Sequence, residues 1–376
     1  MLAEALRADR DLPPFPRSTR DGYACRAAEA AEHSRLRVVG TIRAGEAPSG
    51  PLPPGAAWEI MTGAPVPQGA DAVAMLEHVD LADGEIRLHE TRTISEGENI
   101  VAQGAEARMG EQVLAAGTRL APSQIALAAF CGCAIVPVFV RPRVAILTTG
   151  DELVAVDAEP GPGQIRNSNA PMLAAMVSAA GGKPWILPRA ADEAESLDAA
   201  LDQAAKADLL LISGGVSAGR FDLVEGALAR AGAGFYFTGV RIQPGKPAVF
   251  GELVRGGEDP RVQPFFGMPG NPISSAATFL LFVAPLLSAL AGGVNPAPRF
   301  ALARLAKDIK GRRDLTRFVP AHCTFGAPAS EPPQVAPVPS QGSGDLASFS
   351  RSNCFLVVPE GTDRLPAGEV VRILLQ

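Results

Sequence analysis

Apolar and polar positions along the chain fall into three successive patterns. Residues 1–140 carry short β-type runs, such as 35–42 and 57–61, broken by turn residues at Pro53-Pro54-Gly55 and Asp83-Gly84. The segment 123–131, SQIALAAFC, has the spacing of a short capped helix that closes this stretch. From 141 to about 293 the pattern becomes strand, loop, helix, repeated. Residues 144–148, 185–187 and 209–212 are compact apolar strands, and helices are predicted over 171–180, 192–207 and 223–231. Asn169 stands where a cap would open the first helix, with Pro171 at its first position and Gly181-Gly182 ending it. Asp192, followed by Glu195, has the form of an N-cap for the second. Asn271-Pro272 opens a last long helix. After Pro296 β-type runs return at 299–305, 316–320, 354–358 and 369–375, interrupted by a Pro-rich loop, 327–339, that reads as a hairpin tip.

This alternation predicts an α/β fold in which a central doubly wound, mostly parallel sheet is flanked by small β domains. Ligands of such sheets sit at the carboxyl ends of the strands. The length of 376 residues fits two to four domains, at roughly 100–200 residues each.

Composition narrows the function. With 47% apolar and 20% charged residues the chain can bury a sizeable core. Aromatics are only 5%, the net charge is −6 and no basic run occurs, so neither stacking platforms nor a cationic stripe for nucleic acid is expected. The start, MLAEALRADRDLPPF, lacks the apolar segment of a signal peptide. The most apolar stretch, 276–287, contains Pro285 and falls short of the about 20 residues that cross a bilayer, so a buried helix and no membrane are expected. Five cysteines without framework spacing point to a cytoplasmic chain, with Cys131 and Cys133 as buried small hydrophobes.

The chemistry should lie in the loops that follow the central strands. Thr149, Gly150, Asp151 and Glu152 follow the first strand. Ser213, Gly214, Gly215 and Ser217 follow the third, where two glycines let backbone amides converge on a phosphate. Gly270 and Asn271 precede the long helix, whose free amides and positive dipole end suit an anion; a rigid cap there is compatible with that role. Lys246 stands between Pro244-Gly245 and Pro247, a stiff presentation of a compact cation that suits a tetrahedral oxyanion. Asp222 could serve Mg²⁺, which takes few carboxylates plus substrate phosphates. Asp208, between a helix and a strand, reads as structural. Asp21 and Thr62 stand in turns of the first stretch.

Taken in order, RDGYA (20–24), MTGAPVP (61–67), TTGDEL (148–153), SGGVSAG (213–219), IQPGKP (242–247), GMPGNP (267–272) and QGSGDLASFSRSN (341–353) resemble the molybdenum insertase family, molybdopterin molybdenumtransferase, called MoeA in bacteria. The resemblance spans nearly the whole chain. It implies an elongated homodimer with a platform of 1–15 and 102–140, a β domain inserted at 16–101, the α/β domain at 141–293 and a C-terminal β domain at 294–376. The implied reaction inserts molybdate into adenylylated molybdopterin with Mg²⁺-dependent release of AMP. Asp21, Thr62, Glu152, Asp192 and Asp222 then correspond to residues needed for activity, with Asp222 and Glu152 as the Mg²⁺ carboxylates. Lys246, Pro247, Ser274, Arg317 and Ser343 match the molybdate neighbourhood, and Asp21 and Thr62 would reach the crevice from the other subunit. Implied protein partners are the molybdopterin adenylyltransferase and enzymes that accept the cofactor. The chain departs from the family pattern in starting late, in reading NIVAQGAEA (99–107) where arginines are common, and in carrying Gln243 where a second lysine is often found. Two other readings stay open at this level: adenylyl transfer to molybdopterin, which shares the central fold, and a non-catalytic scaffold.

Overall fold

The computed structural model describes residues 1–214, 223–256, 260–324 and 332–376. The chain divides into two compact units, Met1–Val138 and Phe139–Gln376.

In the first unit a six-stranded sheet runs in the order Ala72–Met75, Gly22–Cys25, Ala56–Ile60, Leu36–Ile42, Glu85–Leu88, Val79–Ala82. Alternation along the strands sends Tyr23, Cys25, Ala72 and Ala74 to one face, over the helix Ala27–Ala31, and Ala24, Ile60 and Val73 to the other. The expected turn at Asp83-Gly84 joins the last two strands, and both residues take positive φ, as a two-residue hairpin of this hand requires. A separate core gathers Leu2, Leu6, Ala8 and Leu12 with Ala107 and with Ala128 of the helix Pro122–Phe130.

The second unit begins with the α/β sheet. Its elements are β1 (Arg143–Thr148), α1 (Asn169–Ala179), β2 (Lys183–Ile186), α2 (Ala194–Ala204), β3 (Leu209–Ser213), α3 (Leu223–Arg230), β4 (Gly234–Phe237), β5 (Val249–Arg255), β6 (Arg261–Met268) and α4 (Pro272–Leu290). The order is β2-β1-β3-β6-β5-β4, parallel as far as β6 and antiparallel beyond it. Ala145, Leu147, Leu210 and Ile212 face α2 and α3, while Val144, Ile146, Leu209 and Leu211 face α1 and α4. In α2 the buried residues Leu197, Ala200, Leu201 and Ala204 recur at helical spacing. Each fully buried leucine contributes about 1.5–3 kcal/mol. Gln263, fully buried in β6, donates to the carbonyls of Ala204 at 2.7 Å and Ala207 at 2.8 Å and so closes the end of α2.

The apolar stretch near Pro285 is longer than its composition indicated. The helix Pro272–Leu290 has 19 residues, enough by length and composition to span a membrane, yet half of that window is buried in the protein. Phe279, Val283 and Leu287 pack on the sheet, and Ile273, Ala276 and Ala277 pack on the C-terminal strands. A widened π-type turn over Phe279–Val283 precedes Pro285, which has no N–H to give and whose ring crowds the carbonyl four residues back.

The C-terminal strands close on themselves. Thr316–Thr324, Gln334–Pro337, Phe300–Leu305, Val370–Leu375 and Cys354–Val358 pair in that order, and the last returns to the first. Ala321, Cys323, Cys354, Leu356 and Ile373 fill the inside, and Phe318, Phe355 and Leu374 face α4. Part of the expected Pro-rich loop is therefore strand: Gln334–Pro337 supplies inward Val335, whose β-branch outweighs the neighbouring prolines at a short strand. A sixth, two-residue strand, Ile242–Gln243, joins this sheet from within the central segment, alongside Thr316–Arg317.

Candidate active site

β1, β3 and β6 end side by side, and their following loops meet there. Beyond β1, the buried Thr149 gives its N–H to Ser213 O at 3.1 Å and its hydroxyl to Asp192 Oδ1. Asp192 does not cap α2; Glu193 occupies that place, and Asp192 precedes it as the acceptor for Thr149. Its own N–H lies 3.3 Å from Asp151 Oδ1. Arg189 donates to Gly150 O at 3.1 Å and stands 3.5 Å from Asp151, so a cation fastens this acidic loop. The Glu152 carboxylate lies against Gly150, within 2.6–2.9 Å of the point a Cβ there would occupy.

Beyond β3, Gly214 takes φ +101°, and a Cβ on it would stand 2.3 Å from Thr149 O. Only glycine allows the β1 and β3 loops to approach so closely. Gly214 N–H reaches Met268 O at 3.3 Å, and a Cβ on Gly270 would lie 3.8 Å from Gly214 Cα. Gly215, Ser217 and Asp222 lie outside the described residues.

Asn169 also departs from its expected role. It is the first residue of α1; Ser168 holds the N-cap position without a side-chain bond, and Asn167 before it accepts the Ala170 N–H at 3.2 Å. The Asn169 carboxamide instead donates to Ser213 Oγ at 2.8 Å and Gly270 O at 2.6 Å. Asn271 caps α4 through its position, with Pro272 next, but its side chain reaches across to Ser343 Oγ at 2.9 Å. Ile273 N–H binds Ser343 O at 3.1 Å, so the first free amide region of α4 is fastened to the Ser343 loop. Ser274, in the same first turn, is buried.

Lys246 is exposed, with no side-chain partner among the described residues, in a loop whose ends are joined by Val240 N–H to Lys246 O at 2.9 Å. Gly245, at φ +117°, rests on α4, where its Cβ would stand 3.0 Å from Thr278 Oγ1. Pro247 follows, half-buried. Gln243 pairs with Arg317, which places that guanidinium's strand three positions from Lys246. Burial, and secondarily Arg312, lowers the Arg317 pKa, and its Nη1 donates to Lys310 O.

In the first unit Thr62 donates to one oxygen of Asp21 from its N–H at 2.6 Å and its hydroxyl at 2.8 Å. These bonds hold the Asp21 carboxyl below its ordinary range.

Two cavities of about 280 and 290 Å³ occur elsewhere, one on the barrel by Thr316, Leu365 and Arg372, the other in the first unit by Pro16, Val66 and Asp71. Neither is lined by the strand-end loops.

Three family models tile the chain: the MoeA N-terminal region (domain I and II) over 1–132, a probable molybdopterin binding domain over 145–289, and the MoeA C-terminal region (domain IV) over 302–375. A molybdopterin molybdenumtransferase of Bacillus subtilis is 36% identical, covering 100% of this chain and 86% of that protein. The chain belongs to the molybdopterin molybdenumtransferase family. Another member, from Staphylococcus aureus, is 33% identical, covering the whole of this chain and 88% of that protein. Among solved structures, the molybdopterin biosynthesis moeA protein of Pyrococcus horikoshii is similar over 100% of this chain and 91% of that one, with 31% identity and a TM-score of 0.80. From the sequence Asn169 reads only as a helix cap, and Asn167 and Arg189 belong to no motif that singles them out. Their signal was slight, because asparagine before a helix reads first as a cap.

Proposed function

We propose that this chain is a molybdenum insertase, a transferase of molybdenum cofactor biosynthesis that places molybdate into adenylylated molybdopterin and releases AMP. The observation that carries the reading is the Asn271–Ser343 bond, which sets the Ser343 loop on the helix start beside the Ser213–Gly214 loop. In this reading, amides that would donate to phosphate and a hydroxyl that would meet an oxyanion lie near the carboxyl ends of the same strands.

In this reading the amides after β3 and before α4 receive the phosphates of the substrate. Lys246 and Arg317 attract molybdate, while Ser274 and Ser343 offer hydroxyls to its oxygens and Pro247 stiffens the lysine loop. Catalysis is then positional and electrostatic: cations and fixed amides hold two anions together that would otherwise repel. Glu152, in the loop after β1, with Asp222, which lies outside the described residues, would give Mg²⁺ the sparse carboxylate set it accepts when phosphates complete its shell. Mg²⁺ would neutralise phosphate charge as AMP departs.

We further read the chain as four regions, 1–15 with 102–140, 16–101, 141–293 and 294–376, acting as a cytoplasmic homodimer. Support for association comes from the first unit, where Ile125 and Phe130 are more than half exposed and Ile135 is 91% exposed. The molybdopterin adenylyltransferase and cofactor-accepting enzymes are the protein partners that this reaction would need.

The test is incubation with adenylylated molybdopterin, Mg²⁺ and molybdate. Molybdate-dependent AMP release with metal retained on the pterin is expected; ATP consumption without molybdate would overturn the assignment.

A further inference from the structure

Three buried side-chain polar atoms have no hydrogen-bond partner among the described residues: Trp58 Nε1, Asn169 Oδ1 and Thr278 Oγ1. Asn169 is distinctive because the other half of the same group is doubly engaged, in a residue only 8% exposed. The amide cannot be turned over to pair the oxygen. Gly270 O accepts only, so nitrogen must face it, and the reverse orientation would set two oxygens against each other.

The two acceptors belong to different elements, Ser213 being the last residue of β3 and Gly270 lying in the loop after β6. Just past the end of β3, Gly214 N–H reaches Met268 O, the last residue of β6, at a long 3.3 Å. A leucine at 169 would leave both Ser213 Oγ and Gly270 O without this donor. By bonding both acceptors, the Asn169 amide fixes the gap between the end of β3 and the loop after β6. That gap matters for a ligand that takes amides from both loops at once, as a phosphate or diphosphate does.

We propose that Asn169 is a positioning residue for the phosphate-bearing substrate, setting the spacing between the Ser213–Gly214 and Gly270–Asn271 loops. The proposal rests on the reading of the site given above. It goes beyond it in placing phosphate affinity on a side chain that itself need not touch the reacting atoms.

Asn169→Asp is isosteric and turns a donor into an acceptor facing Gly270 O. AMP binding by titration calorimetry, Tm, and KM for adenylylated molybdopterin and for molybdate are compared with the unmodified protein. Expected are AMP binding weaker by about tenfold and a matching rise in KM for the adenylylated substrate. KM for molybdate should stay within about twofold. Ser213→Ala, which removes one acceptor and keeps the amide, should give the same pattern at about threefold, and it decides the matter if the first variant does not fold. Unchanged AMP binding in the folded variants would overturn the proposal, as would equal rises in both KM values, which report general loosening. AMP binding reads this proposal directly, whereas absent molybdate-dependent AMP release would count against the insertase reading instead.

Discussion

The Thr149 hydroxyl donates to Asp192 Oδ1, tying the loop after β1 to the one that leads into α2. Asp192 is exposed, so this one bond decides which way its carboxylate points. Thr149→Val keeps the shape and removes the donor. Molybdate-dependent AMP release should fall by about tenfold in kcat/KM, the effect of one hydrogen bond to a charged group discounted for exposure. Thr149→Ser should keep most of the activity. Equal rates in Thr149→Val and the unmodified protein would remove Asp192 orientation from the mechanism.

Gly214→Ala places a methyl group 2.3 Å from Thr149 O at φ +101°. Strained backbone of that kind costs about 1–3 kcal/mol, and the β1 loop must also shift. Urea unfolding should show a loss of at least about 2 kcal/mol. Gly270→Ala is the control, since its nearest neighbour would stand 3.8 Å away. It should unfold within about 0.5 kcal/mol of the unmodified protein.

Asp345 accepts from Ser348 N–H at 3.0 Å and Gln341 N–H at 3.1 Å and so shapes the turn that carries Ser343. Those bonds hold its carboxyl below the usual 3.8. A depressed carboxylate stabilises the fold at pH above 3.8, and that contribution is lost as pH falls through the folded value. Asp345→Ala should therefore flatten the acid limb of a stability-against-pH curve and weaken molybdate use at neutral pH. An unaltered acid limb would show that the turn does not depend on this carboxylate.

Burial pushes the Cys25 and Cys354 thiols up to about 12. Neither should react with thiol reagents at pH 8 until the chain unfolds, while half-buried Cys133 should react first. Raised thiol values add stability below the ordinary 9.0 and lose it as pH climbs toward 12, so alkaline unfolding should begin in that window. Stoichiometric native labelling of Cys25 or Cys354 would contradict the packing.

Much of the central domain was legible because its signals are local. Apolar runs as short as 209–212 cannot be surface strands, and Asn271-Pro272 states a helix start in two letters. Asn169 was not legible, since its partners lie 44 and 101 residues away and its own neighbourhood spells a cap. Asp192 misled in the same way: the acidic residues of 192–195 fit a capping box, and only a tertiary contact with Thr149 competes with it. In the C-terminal part the strand Gln334–Pro337 was hidden by prolines that its short pairing tolerates. The Ile242–Gln243 strand is too brief for any periodicity to reveal its sheet.

That borrowed strand limits how the chain could be taken apart. Ile242–Gln243 is central in sequence but barrel in structure, so a cut near residue 293 would leave it with no strand to lie against. The loop before α4 would lose its bonds to Ser343 in such a cut, and the lysine loop would lose its strand pairing while still resting on α4. The setting of the Lys246 loop and of the start of α4 is therefore complete only with the C-terminal strands in place.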